Sequence, residues 1–307
     1  MKLARITLMV LMILGLATIA GADVVVKSKI TTNILAAGST EVSHTEYMKT
    51  DRSYGESTTK MTGGMMAMMG NKEQQSIDIT RLDKELIWTL NPEQKSYREM
   101  TFEQLKAAFA NKPKTGTAAM GGGDPEKYAW EIKVDEMPAG EKVGGYACNG
   151  MIATAKGIGK DDPEDVVVVT YKMWYSDKFP GFKTYKAFQG MFADKLGSDQ
   201  FGEQRRLANM LSMFGDKLDV LMDKMQAIEG MPMKSVMLVE RSKAPYQPEE
   251  GEQEDPMKAQ MRAILGEPEK TESGMYKIFS IQSEVTGIEE TSFDEGKFNL
   301  PEGYSSN

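Results

Sequence analysis

Apolar residues alternate with polar ones in many short runs, and this period of two most constrains the fold of the chain. Residues 77–79, 86–90 and 130–134 each place apolar side chains on one face. A period of two is typical of a half-buried β-strand. Asn91-Pro92-Glu93-Gln94 is a turn signal, because proline pre-sets the dihedral angle of the second turn position. Residues 85–100 are therefore predicted to form a β-hairpin.

The same alternation, together with β-branched and aromatic residues, predicts strands through most of the chain. Their ranges are 23–32, 40–50, 52–61, 75–81, 85–90, 95–100, 128–136, 145–155, 166–175, 233–241 and 275–288. Thr101 is an N-cap signal for a short helix over 102–110. Glycine, proline and aspartate predict a loop at 111–127 and a turn at 156–165.

The period changes after Phe179-Pro180-Gly181, where apolar residues recur every three or four positions. A longer amphipathic helix is predicted over 203–228. Strands, then helices, then strands, without βαβ alternation, indicate an α+β fold. We expect a single domain at 23–307, with a curved, mostly antiparallel sheet and amphipathic helices packed on one face. The helices form an insertion at about 179–230, and an acidic loop follows at about 245–256.

The N-terminus has the pattern of a secretory signal peptide. Lys2 and Arg5 form a basic start, an apolar stretch follows, and Ala20-Gly21-Ala22 supplies small residues before a cleavage point. Cleavage is predicted between Ala22 and Asp23. No later window holds 18 apolar residues, so we expect an exported, periplasmic protein that is soluble and has no stable membrane span.

Charge and composition argue against several function classes. Residues 1–22 carry two basic and no acidic side chains, so their removal changes the net charge from −8 to −10. A nucleic-acid binder needs a basic face, so no nucleic-acid partner is expected. One His and one Cys disfavour most metalloenzyme sites and Cys–His chemistry. No nucleophile elbow or His-Glu-x-x-His motif occurs, so we predict neither an enzyme nor a cofactor.

The single cysteine, Cys148, can form no internal disulfide. It lies within the predicted strand at 145–155. A lone cysteine among apolar neighbours is typical of a small buried hydrophobe, and a reactive thiol is the alternative.

Methionine is the compositional oddity, with 25 residues. The densest cluster is formed by Met65, Met66, Met68 and Met69 between glycines. Thioethers suit Cu(I), and His44 could add an imidazole if the strands bring it close. Met231-Pro232-Met233 is a second candidate. Contact with variable apolar partners, or no specific role, are the alternatives.

Several short motifs, distributed over most of the mature chain, resemble a bacterial envelope family known as domain of unknown function 4412. They are Ile77-Asp78-Ile79, Ile87-Trp88-Thr89-Leu90-Asn91-Pro92, Tyr97-Arg98-Glu99-Met100-Thr101, Gly145-Tyr146-Ala147-Cys148, Trp174-Tyr175-Ser176, Phe179-Pro180-Gly181-Phe182 and Phe298-Asn299-Leu300-Pro301-Glu302-Gly303-Tyr304. In plan the chain is similar to the outer-membrane lipoprotein carriers. That resemblance implies a half-open antiparallel barrel with helices closing its mouth, and it implies no particular ligand-contacting residue.

Three hypotheses for the function remain open. In the first, the protein holds an apolar ligand, such as a lipid or acyl chain, between the sheet and the helices at 182–228. Phe188, Phe192, Met210 and Phe214 would line such a cavity. In the second, the methionine loop binds a soft metal ion. In the third, the protein has a structural or interaction role and a filled core, and its protein partners are unknown.

Overall fold

Antiparallel strand pairing organises the chain in this computed structural model, which describes residues 23–34, 38–63, 73–110, 127–196, 229–244 and 269–307. The described strands are β1 (Asp23–Ile34), β2 (Gly38–Met48), β3 (Arg52–Thr62), β4 (Glu73–Arg81), β5 (Leu86–Asn91), β6 (Ser96–Thr101), β7 (Tyr128–Met137), β8 (Lys142–Val143), β9 (Tyr146–Ala147), β10 (Asn149–Gly159), β11 (Val166–Ser176), β12 (Met231–Arg241), β13 (Tyr276–Thr291) and β14 (Ser305–Ser306).

Twelve of the described strands form one sheet, in the order β14-β6-β5-β4-β3-β2-β1-β13-β12-β11-β10-β7. Every pair in it is antiparallel except β14 with β6, which is parallel. Among the described strands, β14 and β7 are the two edges, and they do not pair with each other. The predicted mostly antiparallel sheet is therefore confirmed, as a large sheet that is not closed.

The hairpin of β5 and β6 shows how local sequence sets the register. The side-chain carbonyl of Asn91 accepts a hydrogen bond from the backbone N–H of Gln94 at 3.1 Å, which stabilises the predicted turn. Leu90 then lies opposite Tyr97, and Trp88 opposite Glu99. The indole N–H of Trp88 donates to the Glu99 carboxylate at 2.8 Å across this pair.

Two sequence predictions between residues 145 and 165 are wrong in detail. The predicted strand at 145–155 is broken at Cys148, because its N–H donates to the carbonyl of Glu141 at 2.9 Å and so belongs to the β8–β9 hairpin. The strand that follows, β10, extends to Gly159 and so includes the first four residues of the predicted turn at 156–165. Pairing with β7 and β11 supplies hydrogen bonds to this stretch that its glycine-rich composition does not reveal.

Two helices are described, α1 (Phe102–Ala110) and α2 (Phe182–Leu196). A capping box starts α1, since the Thr101 hydroxyl accepts from the N–H of Gln104 while the Gln104 side chain accepts from the N–H of Thr101. The predicted helix at 203–228 and the acidic loop at 245–256 lie outside the described residues. None of the helices in the described ranges is long and apolar enough to cross a membrane.

The start of α2 depends on a glycine. Gly181 has a φ of +79°, a conformation that favours glycine, and a Cβ at this position would lie 2.7 Å from the side chain of Val24. The close approach seats α2 against β1. Phe188 of α2 is buried in one cluster with Val24, Val26 and Met48. We call this side of the sheet the helix face.

The opposite side of the sheet, the tail face, is covered in part by the chain after β13. Leu300 and Tyr304 pack against a buried cluster of Ile79, Trp88 and Leu90 from β4 and β5. Just before them, residues 295–298 form a single 3₁₀ turn that ends in a fully buried phenylalanine. The C-terminal segment is thus an integral part of the fold.

Candidate ligand-binding face

The helix face carries continuous apolar rows across six strands, β7, β10, β11, β12, β13 and β1. Strand register places one member of each strand side by side in the first row: Ile132, Ala155, Val169, Val239, Phe279 and Ile34. A second row runs parallel to it: Val134, Ala153, Tyr171, Met237 and Ile281. Their side chains form one hydrophobic cluster. Among the described residues, that cluster is built from strand residues alone.

The same face becomes polar on β1 to β4. One cross-strand row consists of Ser28, His44, Ser57 and Ser76. The next row toward the α2 end contains Glu46, Gly55 and Asp78. Because successive side chains of a strand alternate between faces, both rows lie on the side that carries Val24 and Val26. The helix face is therefore amphipathic along the strand order.

His44, the only histidine of the chain, is held in this polar region. Its Nδ1 lies 2.9 Å from the hydroxyl oxygen of Ser57 on the neighbouring strand. The imidazole lies across Gly55, where a Cβ would come within 2.7 Å of the ring carbon Cε1. Glycine inside a strand often marks such a close approach. Any larger residue at position 55 would displace the imidazole.

Glu46 is the electrostatically unusual group of the face. Burial raises the pKa of its carboxyl group, and the carboxylate of Asp78 acts in the same direction. A hydrogen bond with Ser53 and the nearby imidazole of His44 oppose that rise. Within the described part of the chain, Glu46 forms no ion pair with a lysine or arginine. Asp78 is exposed and accepts a hydrogen bond from the Thr89 hydroxyl at 2.7 Å.

Two of the four predicted ligand-lining residues can be placed. Phe188 is buried and Phe192 half-buried, and their rings stack with centroids 6.0 Å apart. Phe192 also meets Phe102 of α1 edge-on at 5.7 Å. Both therefore pack at the α2 end of the helix face, and their contact with a ligand stays a prediction. Met210 and Phe214 lie outside the described residues.

The proposed soft-metal ligands Met65, Met66, Met68 and Met69 also lie outside the described residues, so that hypothesis stays a prediction. His44 lies opposite Ser57, which is five residues before the end of β3, and this loop follows β3. At 3.3 Å per residue, the end of β3 is therefore about 16 Å from His44. Met231 and Met233 are buried in the core beneath α2. The described residues contain no group of three or more His, Cys, Asp or Glu side chains placed to hold a metal ion.

Cys148 is 3% exposed, which confirms the predicted buried thiol. Its Sγ donates a weak hydrogen bond to the carbonyl of Tyr146 at 3.4 Å. Burial raises the pKa of the thiol. A buried, protonated thiol is a poor nucleophile, so Cys148 has a packing role.

Sequence reasoning missed the cluster of His44, Ser57 and Glu46. His44 and Glu46 are two residues apart in a polar strand, so their common face was readable from the sequence. The partner strand and its register were not, because they depend on pairing between β2 and β3. A glycine inside the polar run at 52–61 was the one local signal of a close approach.

No protein-family model and no curated protein matches the chain, so membership of the domain of unknown function 4412 family stays a prediction. Three solved structures overlap most of its length. A domain described as an outer membrane lipoprotein-sorting protein, from Vibrio parahaemolyticus, is 9% identical with a TM-score of 0.25, over 91% of this chain and 89% of that one.

A LolA superfamily protein from Nitrosomonas europaea is 7% identical with a TM-score of 0.24, over 91% of this chain and 90% of that one. A DUF1329 family protein from Desulfovibrio piger is 9% identical with a TM-score of 0.26, over 94% of this chain and 93% of that one. Such low identities and TM-scores establish no common fold, and the half-open, carrier-like barrel stays a prediction.

Proposed function

We propose that the protein is an exported, non-enzymatic protein that binds an apolar ligand, such as a lipid or an acyl chain, on the helix face. The observation that carries this proposal is the pair of apolar rows, which span six and five strands. Five strand spacings of about 4.8 Å make the longer row about 24 Å long, and most of its side chains are buried. Ligand sites are mostly apolar, with few polar groups at defined places, and the His44 region supplies such groups.

Export is supported by the sequence of residues 1–22, which lie outside the described residues. A basic start, an apolar stretch and Ala-x-Ala are the three parts of a secretory signal. A binder of apolar ligands in the periplasm would need to shield them from water between membranes.

The absence of an enzymatic role is supported by the geometry around the one histidine. Ser57 contacts His44, but both lie in the middle of strands that pair on each side. Backbone N–H groups there serve the sheet and do not converge on a reacting atom. Acyl-transfer chemistry needs such donors near the nucleophile to stabilise an oxyanion.

A small-to-large substitution separates the proposed site from a filled core. Ala153 is buried between Val134 and Tyr171 in the second apolar row. In a filled core, Ala153→Leu adds three carbon atoms without space and costs about 1–3 kcal/mol of unfolding free energy. In a ligand site, the same change leaves the stability of the ligand-free protein unchanged and lowers ligand uptake. We expect the second result.

The measurement is denaturant unfolding of delipidated protein, together with uptake of an uncharged fluorescent apolar probe. Thr154→Leu, one residue along on the tail face, is the matched control and should change neither quantity. A large stability loss in Ala153→Leu, with no saturable uptake by the wild type, would leave only the filled-core hypothesis. Native mass spectrometry of protein purified from its own cell envelope should show a lipid-sized adduct.

A further inference from the structure

The strands β1 to β4 place no basic side chain on the helix face. On β1 to β4, that face carries the carboxylates Glu46 and Asp78 and no lysine or arginine. The basic residues of these four strands lie on the tail face, and each forms an ion pair there. They are Lys27 with Glu289, Lys29 with Glu41, Arg52 with Asp51, Lys60 with Glu73, and Arg81 with Asp83.

Among the residues that the structure describes, no lysine or arginine is paired with Glu46. Its surroundings are the hydroxyl of Ser53, the imidazole of His44 and a second carboxylate, Asp78. Removing a carboxylate from water without a compensating cation costs free energy. A cation brought by a ligand would provide the missing interaction and would also be attracted by Asp78.

The acidic region of Glu46 and Asp78 lies directly beside apolar side chains. In the row of Glu46, the next two positions are Val26 on β1 and Ile288 on β13, and both are buried. In the row of His44, the apolar Val285 lies two strand spacings away, which is about 10 Å. A ligand that covers both regions needs an apolar part and a positively charged part within a short distance of each other.

We propose that the helix face selects amphiphiles with an ammonium headgroup, whose charge lies at Glu46 and Asp78 while the alkyl chain lies along the apolar rows. This inference rests on the proposed function and specifies its ligand class. Anionic amphiphiles of the same chain length meet two carboxylates and, on the described strands β1 to β4, no basic side chain, so they bind more weakly. The hydroxyls of Ser57 and Ser76 line the same region and accept hydrogen bonds from an ammonium group.

The test compares three single-chain amphiphiles with the same twelve-carbon tail, each below its critical micelle concentration: dodecylammonium, dodecyl sulfate and dodecyl maltoside. Each competes with an uncharged fluorescent probe for delipidated protein. We expect wild-type protein to bind the ammonium compound at least about tenfold more tightly than the sulfate. Glu46→Gln should remove most of this preference for the ammonium compound over the sulfate, whereas Asp78→Asn should have a smaller effect because Asp78 is exposed.

Glu41→Gln is the matched control, because Glu41 lies on the same strand as Glu46 but on the tail face. It should leave all three affinities unchanged.

Added salt gives a second measurement on the wild type: 0.5 M sodium chloride should weaken ammonium binding and leave maltoside binding unchanged. Equal affinities for the ammonium and sulfate compounds, insensitive to Glu46→Gln and to salt, would overturn the inference and leave the proposed function standing. Failure of all three amphiphiles to displace the probe, or of the probe to bind, would overturn the proposed function itself.

Discussion

At the scale of single residues, Glu46 shows a conflict between stability and binding. Its carboxyl group is partly removed from water, and its hydrogen bond with Ser53 and the imidazole of His44 do not offset that burial. The pKa of Glu46 is therefore higher in the folded protein than its usual value of 4.5. The protonated form of Glu46 favours folding, whereas the ionised form would attract a cationic ligand.

The sign of the pH dependence follows from this shift. A group whose pKa rises on folding favours the folded state at low pH, and that contribution is lost as pH rises through the folded pKa. Glu46→Gln removes the charge permanently, so it should raise the unfolding free energy of the ligand-free protein at pH 8. At pH 4, where Glu46 is mostly protonated in both states, the variant and wild type should be close to equal.

Chemical denaturation of both proteins from pH 4 to pH 8 measures this difference. Glu41→Gln controls for the loss of one negative charge. A difference between Glu46→Gln and wild type that stays constant across the pH range would show that the carboxyl of Glu46 is not destabilised by burial.

At the scale of elements, Arg81 joins β4 to the C-terminal segment. Its side chain is 6% exposed, and its Nη1 donates to the carbonyl of Phe298 at 3.2 Å and to the side-chain oxygen of Asn299 at 3.1 Å. Nε donates at 2.7 Å to the carboxylate of Asp83, which Nη2 also contacts. A planar guanidinium can satisfy all of these acceptors at once, and an ammonium group cannot.

Arg81→Lys should therefore lower the unfolding free energy by about 1–3 kcal/mol, because buried acceptors in the tail lose their donor. Arg98→Lys, the same change at an exposed position of β6, should cost less than about 0.5 kcal/mol. Denaturant unfolding of the two variants provides the comparison. Equal effects at both positions would mean that the Arg81 guanidinium does not hold the tail, which Leu300, Tyr304 and the pairing of β14 with β6 would then hold.

The elements also show which features a single sequence can predict. The turn at 91–94 and the helix start at Thr101 follow from neighbouring residues, and the structure confirms both. The extension of β10 to Gly159 depends on pairing with β7 and β11, which local composition does not reveal, so the sequence predicted a turn from residue 156. The tail motif at 298–304 was visible, but its contact with β4 spans more than 200 residues. Local periodicity can be recognised in a short window of sequence, whereas the pairing of distant segments cannot.

At the scale of the whole molecule, the two faces of the sheet, and the two halves of the helix face, carry different kinds of side chains. The tail face holds ion pairs and the C-terminal segment, while the helix face holds the apolar rows and the acidic region. The proposed ligand class follows from this distribution and from no single motif. A search for catalytic or metal-binding patterns in the sequence could not find such a site, because its chemistry arises from the register of many strands.

The core at the α2 end links elements that are distant in sequence, and Cys148 lies inside it. The same buried cluster contains Val24 of β1, Phe102 of α1, Phe188 of α2 and Met233 of β12. The β8–β9 hairpin that holds the cysteine is also fixed by β11, since the indole N–H of Trp174 donates to Glu141 at 2.7 Å. Exposure of Cys148 should therefore require disruption of the whole cluster, so its chemistry reports on global unfolding.

We expect a thiol reagent to label Cys148 slowly in the native state and rapidly in denaturant, both because the side chain is buried and because burial raises its pKa. At intermediate denaturant concentrations, the free energy of the opening that permits labelling should fall with the same slope as global unfolding, since that slope measures the surface exposed. Lys156→Cys in a Cys148→Ala background, at an exposed position of β10, should react quickly at all concentrations. Labelling of Cys148 that is slow but independent of denaturant would show that the hairpin opens locally, without the rest of the cluster.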